Sequence, residues 1–538
     1  MAIRRMPPLQ RFLPNRSLVK EHIVICHVVF QPNEKEVSVL CGTLLSDAAK
    51  KAGVFIDSPC GGNGTCGKCS VVLEQNGAQK SVLACQTKVE QDCTVILGDV
   101  NDLHTLHDGA ERKVSYAPYN KDSFTQGSCL AAFDLGTTSI VCYLLDGATG
   151  EQLASIGMQN PQSAYGADVI TRANYVMTSD QPAALQDCVI SALNELMLRT
   201  TVQAGRSLNE LSLITIVGNT VMHHILLGLP LAQLVRAPYT PSSTDSKIKT
   251  AAELGLNVSP DTRVLIAPVI GGFVGADTVA CLSATAFEQF QSSTLMLDIG
   301  TNGELVCTDG IKRVCCSTAA GPAFEGANIS CGMRAENGAV DHIWQDNGAF
   351  CFSTIGDAPA RGICGSGLID LIALLVKLGT IDETGRFNKN ASFSERLIRT
   401  ETGLSFQIAQ GDKNVFLSQK DVRELQLGKA AIRAGIAVLL DTLSLVEYQI
   451  ERVLLAGAFG SHLSPDALCD IGLLPEAFRG KIESIGNAAG EGAKLYARNF
   501  SLFQQSEQLA RETGYVELTL SPAFSDYYVD AMSFPVQT

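Results

Sequence analysis

Four cysteines near the N-terminus have the spacing of a metal centre. The segment DSPCGGNGTCGKC places Cys60, Cys66 and Cys69 within ten residues, and LACQT adds Cys85. Four thiolates, two on each iron, are what a [2Fe–2S] cluster requires. The glycines between the cysteines allow a loop to curl around the cluster and to direct backbone N–H groups at its sulfurs. The cysteines therefore predict an iron–sulfur cluster.

A four-cysteine zinc site is the alternative. Zinc sites of this kind usually pair two C-x₂₋₄-C elements, and only one such element, Cys66 to Cys69, is present. Cys41 and Cys93 are nearby alternatives for the fourth ligand. The LACQT context favours Cys85, and the whole pattern favours iron–sulfur over zinc.

Two short loops with matching sequences have the residue types that bind phosphate. DLGTTS begins at Asp134 and DIGTNGE begins at Asp298, and each follows a run of apolar residues. A tight turn between two strands exposes backbone N–H groups, and an Asp at its start can hold a Mg²⁺ ion with its water shell. One such turn is a weak signal, because Asp-Gly-type turns occur in many hairpins. Two copies 164 residues apart predict a duplicated fold with a cleft between its halves.

Two glycine-rich segments farther along the chain fit the same site. ERVLLAGAFGSHL, residues 451–463, is predicted to be a buried strand that runs into GAFG, where small residues let a flat base lie against the backbone. SIGNAAGEGAKLYA, residues 484–497, is predicted to be a small-residue turn that enters a helix. Each cluster alone is equally well explained as an ordinary turn. The ordered set, together with the two phosphate loops, favours a nucleotide site.

The elements that must position these residues change in character along the chain. Residues 1–17 have basic residues but no apolar stretch, and we expect a flexible tail there. Residues 18–98 have the pattern of short strands with one short amphipathic helix. Residues 99–127 lack a clear period and are predicted to be a linker. From residue 129 on, strand and helix patterns alternate, which is typical of α/β domains.

Composition argues against several classes of function. The 538 residues carry a formal net charge of −14, so the basic face that binds nucleic acid is not expected. No apolar run approaches the ~20 residues that cross a bilayer, and we expect no membrane association. Eighteen cysteines without an export signal indicate a reducing compartment, which predicts a cytoplasmic protein.

The cysteine loop resembles that of plant-type and adrenodoxin-type ferredoxins in its five-residue first gap, its two-residue second gap and the following LACQT. In particular, it resembles the domain that opens the reductive activators of corrinoid proteins. The paired loops and the two glycine-rich segments resemble the phosphate-1, phosphate-2 and adenosine motifs of the acetate kinase, sugar kinase, Hsp70 and actin (ASKHA) superfamily. Five stretches resemble the ATPase body of the corrinoid activators more narrowly: NPQSAYGADVITR at 160–172, VGNTVMHHILLGL at 217–229, APVIGGFVGADT at 267–278, GPAFEGANISCGMRA at 321–335 and GICGSGLIDL at 362–371.

The resemblance implies a multidomain protein of α+β and α/β classes. An N-terminal β-grasp, [2Fe–2S] ferredoxin-like domain would be joined by the linker to a duplicated RNase H-like ATPase body of the ASKHA type. We expect the ferredoxin-like domain at 18–98, the first ASKHA lobe at 128–290 and the second ASKHA lobe at 291–538.

The resemblance also implies roles for individual residues. Asp134 and Asp298 would organise Mg²⁺ and the hydrolytic water, and Glu304 and Asp277 would help to position that water. The residues expected to contact ATP are Gly136, Thr137, Thr138, Gly300, Thr301, Asn302, Gly303, Gly457, Ala458, Phe459, Gly460 and Gly490.

Two pairs of potential metal ligands are assigned to packing. His223 and His224 lie in an apolar segment with a helical pattern, where a packed histidine is far commoner than a ligand. Cys315 and Cys316 are adjacent in sequence, and adjacent cysteines rarely bind one metal ion without further partners.

The function implied by the resemblance is ATP-dependent reductive activation of a corrinoid protein, from Co(II) to Co(I), in support of corrinoid-dependent methyl transfer. The implied cofactors are a [2Fe–2S] cluster, ATP and Mg²⁺. The implied partners are a corrinoid protein of a methyltransferase system, a low-potential electron donor and a second copy of the chain in a homodimer. Three alternatives stay open: an ASKHA small-molecule kinase with an appended ferredoxin, an activator of a radical-forming dehydratase, and a redox sensor without ATP turnover.

Overall fold

The computed structural model describes residues 24–32, 34–54, 56, 64, 69–97, 112–400, 403–411, 414–457 and 460–536. The described residues up to 97 belong to one unit and those from 112 on belong to a second, larger unit. Each unit has its own hydrophobic core. No helix in the described ranges is long and apolar enough to cross a membrane.

The small unit is a five-stranded sheet with one helix packed on it. Its elements are β1 (Ile25–Gln31), β2 (Lys35–Leu40), α1 (Leu45–Lys51), β3 (Ser70–Gln75), β4 (Ala78–Leu83) and β5 (Cys93–Ile96). The strand order is β2-β1-β5-β3-β4, with β1 and β5 parallel at the centre. Cys26, Val28 and Phe30 alternate toward the core, where they meet Leu45 and Ala48 of α1. This arrangement confirms the predicted β-grasp fold.

Strand β4 was not predicted from the sequence. It forms a hairpin with β3 through Asn76 and Gly77, both of which have positive φ angles of 51° and 78°. An Asn-Gly pair between two strands is a strong hairpin signal, because both residues tolerate the left-handed conformation that the turn requires. The signal was therefore present in the sequence.

The first half of the large unit is built on a six-stranded sheet. Its elements are β6 (Cys129–Leu135), β7 (Ser139–Asp146), β8 (Gln152–Gln159), α2 (Val169–Thr178), α3 (Ala184–Gln203), β9 (Leu211–Gly218), α4 (Thr220–Leu226), β10 (Lys247–Thr250), α5 (Ala251–Leu254), β11 (Arg263–Ile266) and α6 (Ala276–Thr285). The strand order is β10-β11-β9-β6-β7-β8.

The second half repeats this plan and adds to it. Its elements are β12 (Thr294–Ile299), β13 (Gly303–Thr308), β14 (Arg313–Thr318), β15 (Ala339–Asp346), β16 (Ala349–Thr354), β17 (Gly362–Ile363), α7 (Gly365–Lys377), β18 (Leu397–Thr400), β19 (Gly403–Ala409), β20 (Val415–Ser418), α8 (Gln419–Leu443), β21 (Arg452–Ala456), α9 (Pro465–Asp470), β22 (Ile482–Gly486), α10 (Ala488–Arg498), α11 (Phe500–Glu512), β23 (Thr513–Tyr515) and α12 (Phe524–Asp530). The strand order of its large sheet is β22-β21-β12-β13-β14-β23, and strands β15 to β20 form two small sheets.

The two large sheets share one core topology. In each, an antiparallel hairpin, β6–β7 or β12–β13, carries a phosphate-loop sequence, and its first strand pairs in parallel with a later strand, β9 or β21. The third strand lies beside the hairpin in both sheets. This repetition confirms the predicted duplicated RNase H-like body.

Helices α6 and α10 connect the two halves. They pack on each other, and each contributes side chains to a core formed with the sheet of the other half. Val279 of α6, from the first half, lies in a core formed with strands of the second sheet. Tyr496 of α10, from the second half, lies in a core formed with strands of the first sheet. A Cβ atom on Gly492 of α10 would lie 2.3 Å from the carbonyl oxygen of Ala280. The helices therefore approach closely only because this position has no side chain.

Part of the predicted linker packs on the large unit. The rings of Tyr119 and Phe500 contact each other with centroids 4.7 Å apart, and the hydroxyl of Tyr116 donates to the carbonyl of Gly147 at 2.6 Å. The guanidinium of Arg112 donates to the carbonyl of Ser283 at 2.8 Å. Residues 112–127 therefore belong physically to the body, and residues 99–111 of the predicted linker lie outside the described part of the chain.

We expect Gly492→Ala to destabilise the large unit. The new methyl group would meet a backbone carbonyl, which can move only if α6 and α10 separate. Such overpacking lowers the free energy of unfolding by about 1–3 kcal/mol. The higher helix propensity of alanine offsets only ~1 kcal/mol of this loss. Urea unfolding followed by circular dichroism measures the change.

The control is Gln504→Ala, at an exposed position of the neighbouring helix α11. This variant should unfold at the midpoint of the unsubstituted protein. An unchanged or higher midpoint for Gly492→Ala would contradict the close helix crossing.

Candidate nucleotide site and cluster site

The two phosphate-loop sequences lie at corresponding ends of β6 and β12. Asp134 is near the end of β6, and Asp298 is near the end of β12, where it pairs with Glu304 on β13. The loop amides close tight turns: Gly136 N–H donates to the carbonyl of Ser139 and Gly300 N–H to that of Asn302, both at 2.9 Å. Because both first strands run parallel to a central strand of their sheet, each loop emerges at the carboxyl edge of its sheet.

The two loops meet across the halves of the large unit. The hydroxyl oxygens of Thr138 and Thr301 are 3.2 Å apart. Both donate to the carboxylate of Glu325, Thr138 at 3.1 Å and Thr301 at 3.2 Å. Glu325 ends a short 3₁₀ turn, Pro322–Glu325, that follows β14. The structure thus brings together loops that are 164 residues apart in the sequence.

Glu325 was not singled out from the sequence, although its segment was. GPAFEGANISCGMRA attracted notice only through resemblance, and no local pattern marks its glutamate as a contact of both loops. Burial raises the pKa of Glu325, and the two threonine hydroxyls lower it in part.

Four carboxylates are crowded behind these loops. Burial raises the pKa of Asp134 to about 6 and, together with repulsion from Asp134, raises that of Asp298 to about 7. Burial, followed by repulsion from Asp134 and Asp298, raises the pKa of Asp277 to about 7. Burial and repulsion from Asp277 and Asp298 raise the pKa of Glu304 well above its ordinary value. Burial in this cluster therefore disfavours the charged forms of all four carboxyl groups.

Asn487 holds Asp134 in place. Its Nδ2 donates to Asp134 Oδ2 at 3.1 Å and lies 3.0 Å from the hydroxyl of Tyr143, while its Oδ1 accepts from Gly490 N–H at 3.0 Å. The last bond caps the N-terminus of α10. An asparagine directly before a helix is a recognisable N-cap. Its contact with Asp134, 353 residues away, has no such local signal.

Three buried side chains support the first loop from behind. Asn160 Nδ2 donates to the carbonyl of Gly136 at 2.8 Å, and Arg172 donates to that of Thr137 at 2.7 Å. Asn219 Nδ2 donates to Thr137 Oγ1 at 2.8 Å. Burial lowers the pKa of Arg172 to about 10, so it stays charged at neutral pH. These contacts give a physical role to two of the segments identified by resemblance, 160–172 and 217–229.

The predicted adenosine segments lie next to this cluster. Gly457 has a φ of 92°, and a Cβ atom there would lie 2.5 Å from Asp298 Oδ1. A Cβ atom on Gly490 would lie 2.3 Å from the hydroxyl of Tyr143. Gly457 therefore lets the backbone pass close to Asp298, whereas Gly490 leaves space for the side chain of Tyr143. Ala458 and Phe459 lie outside the described residues.

Two of the four predicted cluster ligands lie side by side in the small unit. The sulfurs of Cys69 and Cys85 are 3.2 Å apart, and both side chains are buried. Gln86 Nε2 lies 3.6 Å from the sulfur of Cys85, and a Cβ atom on Gly64 would lie 2.9 Å from Cδ of Gln86. Two thiols at this separation can bind one metal ion, so this pair fits half of a [2Fe–2S] site. Cys60 and Cys66 lie outside the described residues.

The alternative fourth ligands lie in a different part of the small unit. Cys41 is exposed and donates to the carbonyl of Glu90 at 3.4 Å. Burial raises the pKa of Cys93 to about 11, and Cys93 precedes Thr94, which pairs with Glu74 at the end of β3 that is remote from Cys69. The geometry therefore associates Cys85, not Cys41 or Cys93, with Cys69.

The histidine and cysteine pairs assigned to packing are buried in the large unit. Burial lowers the pKa of His223 to about 3, so its ring is neutral, and His224 bonds to the carbonyl of Thr220 at 2.8 Å. Cys315 and Cys316 alternate on β14 and enter two different cores. Within the described ranges, no three His, Cys, Asp or Glu side chains already converge as direct metal ligands.

Three protein-family models match consecutive parts of the chain. The 2Fe-2S iron-sulfur cluster binding domain matches residues 30–90, the RACo middle region matches 129–290, and the C-terminal domain of RACo, the ASKHA domain, matches 292–538. The chain is also 30% identical to the corrinoid activation enzyme RamQ of Eubacterium limosum, over 93% of this chain and 98% of that protein. The chain belongs to this family of corrinoid activation enzymes.

Two further relatives agree with this membership. The solved structure of a reductive activator for corrinoid, iron-sulfur protein shares 30% identity and a TM-score of 0.72, covering 95% of this chain and 98% of that one. A [Co(II) methylated amine-specific corrinoid protein] reductase of Methanosarcina barkeri is 23% identical over 76% of this chain and 77% of that protein. The matches support a [2Fe–2S] cluster and ATP as cofactors of the corrinoid activator, and they do not favour the kinase or the dehydratase activator.

We expect Asp277→Asn to stabilise the nucleotide-free activator at pH 8. The folded-state pKa of about 7 lies above the ordinary value of 3.8, so the stability that protonated Asp277 contributes is complete below pH 4 and is lost as the pH rises through 7. Asparagine mimics the protonated form at every pH. At pH 8 the free energy of unfolding should therefore rise by a few kcal/mol, and the melting temperature should rise with it. The rise in melting temperature should become smaller toward pH 5.

Asp261→Asn, at an exposed position, is the matched control and should not change the melting temperature at either pH. A gain for Asp277→Asn that is equal at pH 5 and pH 8 would show that charge burial is not its cause.

Proposed function

We propose that this chain uses ATP hydrolysis to drive the one-electron reduction of a corrinoid protein from Co(II) to Co(I). The observation that carries the proposal is the meeting of two Asp-x-Gly-Thr loops, one from each half of the large unit, at a cluster of carboxylates. A nucleotide held by both loops binds the closed arrangement of the halves better than an open one. The site therefore has the means to convert nucleotide turnover into a change of shape.

The nucleotide's phosphates bind, in this proposal, at Thr138 and Thr301 and at the amides of their loops. Asp134 and Asp298 hold Mg²⁺ through water, because Mg²⁺ keeps much of its hydration shell in protein sites. Glu304 and Asp277 orient the attacking water. Burial raises the pKa values of these aspartates to about 6 to 7, with repulsion adding to the shift for Asp277 and Asp298, and a bound cation would favour their charged forms, which supports this assignment.

The proposed lobes are residues 128–290 and 291–538, with the ferredoxin-like domain at 18–98. Each proposed lobe contains one large sheet and one phosphate loop, which supports the division. Helix α10 belongs to the second lobe by sequence but packs on the first sheet, so the lobes are joined through their own connecting helices.

Cys60, Cys66, Cys69 and Cys85 are the proposed ligands of the [2Fe–2S] cluster. Such a cluster, when bound, supplies single electrons at a potential of about −400 mV in plant-type ferredoxins. Each cobalt reduction consumes one electron, and hydrolysis of ATP to ADP and phosphate supplies none. An external low-potential donor is therefore part of the proposal.

The remaining proposals concern the setting of the reaction. We place it in the cytoplasm, supported by eighteen cysteines in a chain that depends on thiolate ligands. A homodimer is also part of the proposal, and sedimentation of the purified protein tests it. The corrinoid protein served belongs to a methyltransferase system, in which Co(I) is the form that accepts a methyl group.

The function is tested by anaerobic reduction of a Co(II) corrinoid protein with a low-potential reductant, with and without Mg-ATP. Visible spectra should show Co(I) only when ATP is present. Asp298→Ala should keep the colour of the cluster and lose ATP-dependent reduction, whereas Asp261→Ala should behave as the unsubstituted protein. Equal formation of Co(I) without ATP, or none with several corrinoid proteins, would reject the function.

We also expect Cys85→Ala to lose the cluster while nucleotide binding persists. Removing one of the two adjacent thiols leaves an iron with one protein ligand too few. Iron and sulfide analysis of oxygen-free protein and calorimetric titration with ADP measure the two properties separately. Cys41→Ala is the matched control, because Cys41 lies apart from Cys69, and full cluster loss in that variant would reject Cys85 as the ligand.

A further inference from the structure

Glu325 contacts both phosphate loops. Its two carboxylate oxygens accept separate hydrogen bonds, Oε2 from Thr138 at 3.1 Å and Oε1 from Thr301 at 3.2 Å. The turn that presents it is flanked by Gly321 and Gly326, with φ angles of 75° and 73°. A single anionic group thus joins hydroxyls that belong to the two halves of the large unit.

The position of this carboxylate coincides with donors that the nucleotide itself needs. Thr138 and Thr301 lie four and three residues after Asp134 and Asp298. Hydrolysis takes place at the terminal phosphate, so the phosphate nearest these two aspartates is the terminal one. A terminal phosphate at this place would compete with Glu325 for the same hydroxyls, and two anions a few ångströms apart repel each other strongly in a partly buried site.

We propose that Glu325 competes with the terminal phosphate of ATP for the hydroxyls of Thr138 and Thr301, so that it must leave them when ATP, but not ADP, binds. The inference rests on the proposed nucleotide site and adds a residue that determines specificity between triphosphate and diphosphate. Glu325 lowers the affinity for ATP, and its release reports that the third phosphate is present.

The segment that follows Glu325 limits how far the turn can move. Ser330 is fixed to Asp421 by its N–H at 2.8 Å and by its hydroxyl at 3.0 Å. Arg334 donates to Gln159 of strand β8 at 2.6 Å, which is a further contact between the two halves. Displacement of Glu325 would therefore move only the short chain between β14 and Ser330. The segment beyond Ser330 reaches Arg334, which contacts the other half.

The test compares Glu325→Gln with the unsubstituted protein in calorimetric titrations with a non-hydrolysable ATP analogue and with ADP, both with Mg²⁺. Glutamine keeps the size of the side chain and removes the charge that opposes the phosphate. The affinity for the analogue should rise by roughly tenfold, since tenfold is a typical size of coupling between two mutually exclusive occupants. The affinity for ADP should change less than about twofold, well below that coupling.

Glu336→Gln is the matched control, because it makes the same change at an exposed position of the same segment. It should leave both affinities unchanged. An unchanged or weaker affinity of Glu325→Gln for the analogue, or an equal gain for ADP, would overturn the proposal.

A second measurement uses the unsubstituted protein and does not depend on a variant's folding. The amides of Gly326 and Ala327 donate to the carbonyls of Ala323 and Pro322 at 3.0 and 3.1 Å, and they close the turn. Hydrogen exchange at these amides should change with the ATP analogue and not with ADP. Identical exchange with both nucleotides would overturn the proposal, whereas failure of any nucleotide to bind would reject the nucleotide site itself.

Discussion

The crowding of four carboxylates in one cleft is the constraint on which the large unit depends. Burial and mutual repulsion hold the pKa values of Asp277 and Asp298 near 7, so these groups are costly to ionise in the nucleotide-free state. Proteins accept such a cost where function requires it. In the proposed site this cost would favour binding of Mg²⁺ with its nucleotide, because a ligand that neutralises the cluster stabilises the folded form that it binds.

The fold can hold this cluster because each half of the large unit has its own hydrophobic core. These cores fix the ends of β6 and β12, near which Asp134 and Asp298 lie. Each aspartate ends a strand of its own sheet, and the connecting helices exchange sheets, so neither half can rotate freely away from the other. The crossing is close enough that Gly492 has no space for a side chain. A nucleotide clamp needs halves that are each rigid, and the separate sheet cores supply that rigidity.

The sequence predicted features that depend on local chemistry and missed those that depend on long-range contact. The Asp-x-Gly-Thr turns were recognisable because turn type and residue type are linked over a few positions. Asn76 and Gly77 likewise indicate the hairpin between β3 and β4, although β4 was not among the predicted strands. Glu325 and Asn487 could not be predicted as site residues, since their partners lie 187 and 353 residues away along the chain. Cys85, by contrast, was chosen over its alternatives from the LACQT context alone, and the folded small unit places it beside Cys69.

The proposed nucleotide site gives a physical reason why hydrolysis, and not binding alone, would be needed for repeated turnover. A ligand shifts an equilibrium between shapes only by its difference in affinity for them, so a triphosphate that bridges Thr138 and Thr301 holds the closed shape as long as it remains. Loss of the terminal phosphate removes the group that both loops share. In the proposed cycle, Glu325 is then the nearest anion to these hydroxyls and competes for them with the terminal phosphate of the next ATP. Occupation of the position by phosphate would therefore depend on ATP and would end with its hydrolysis.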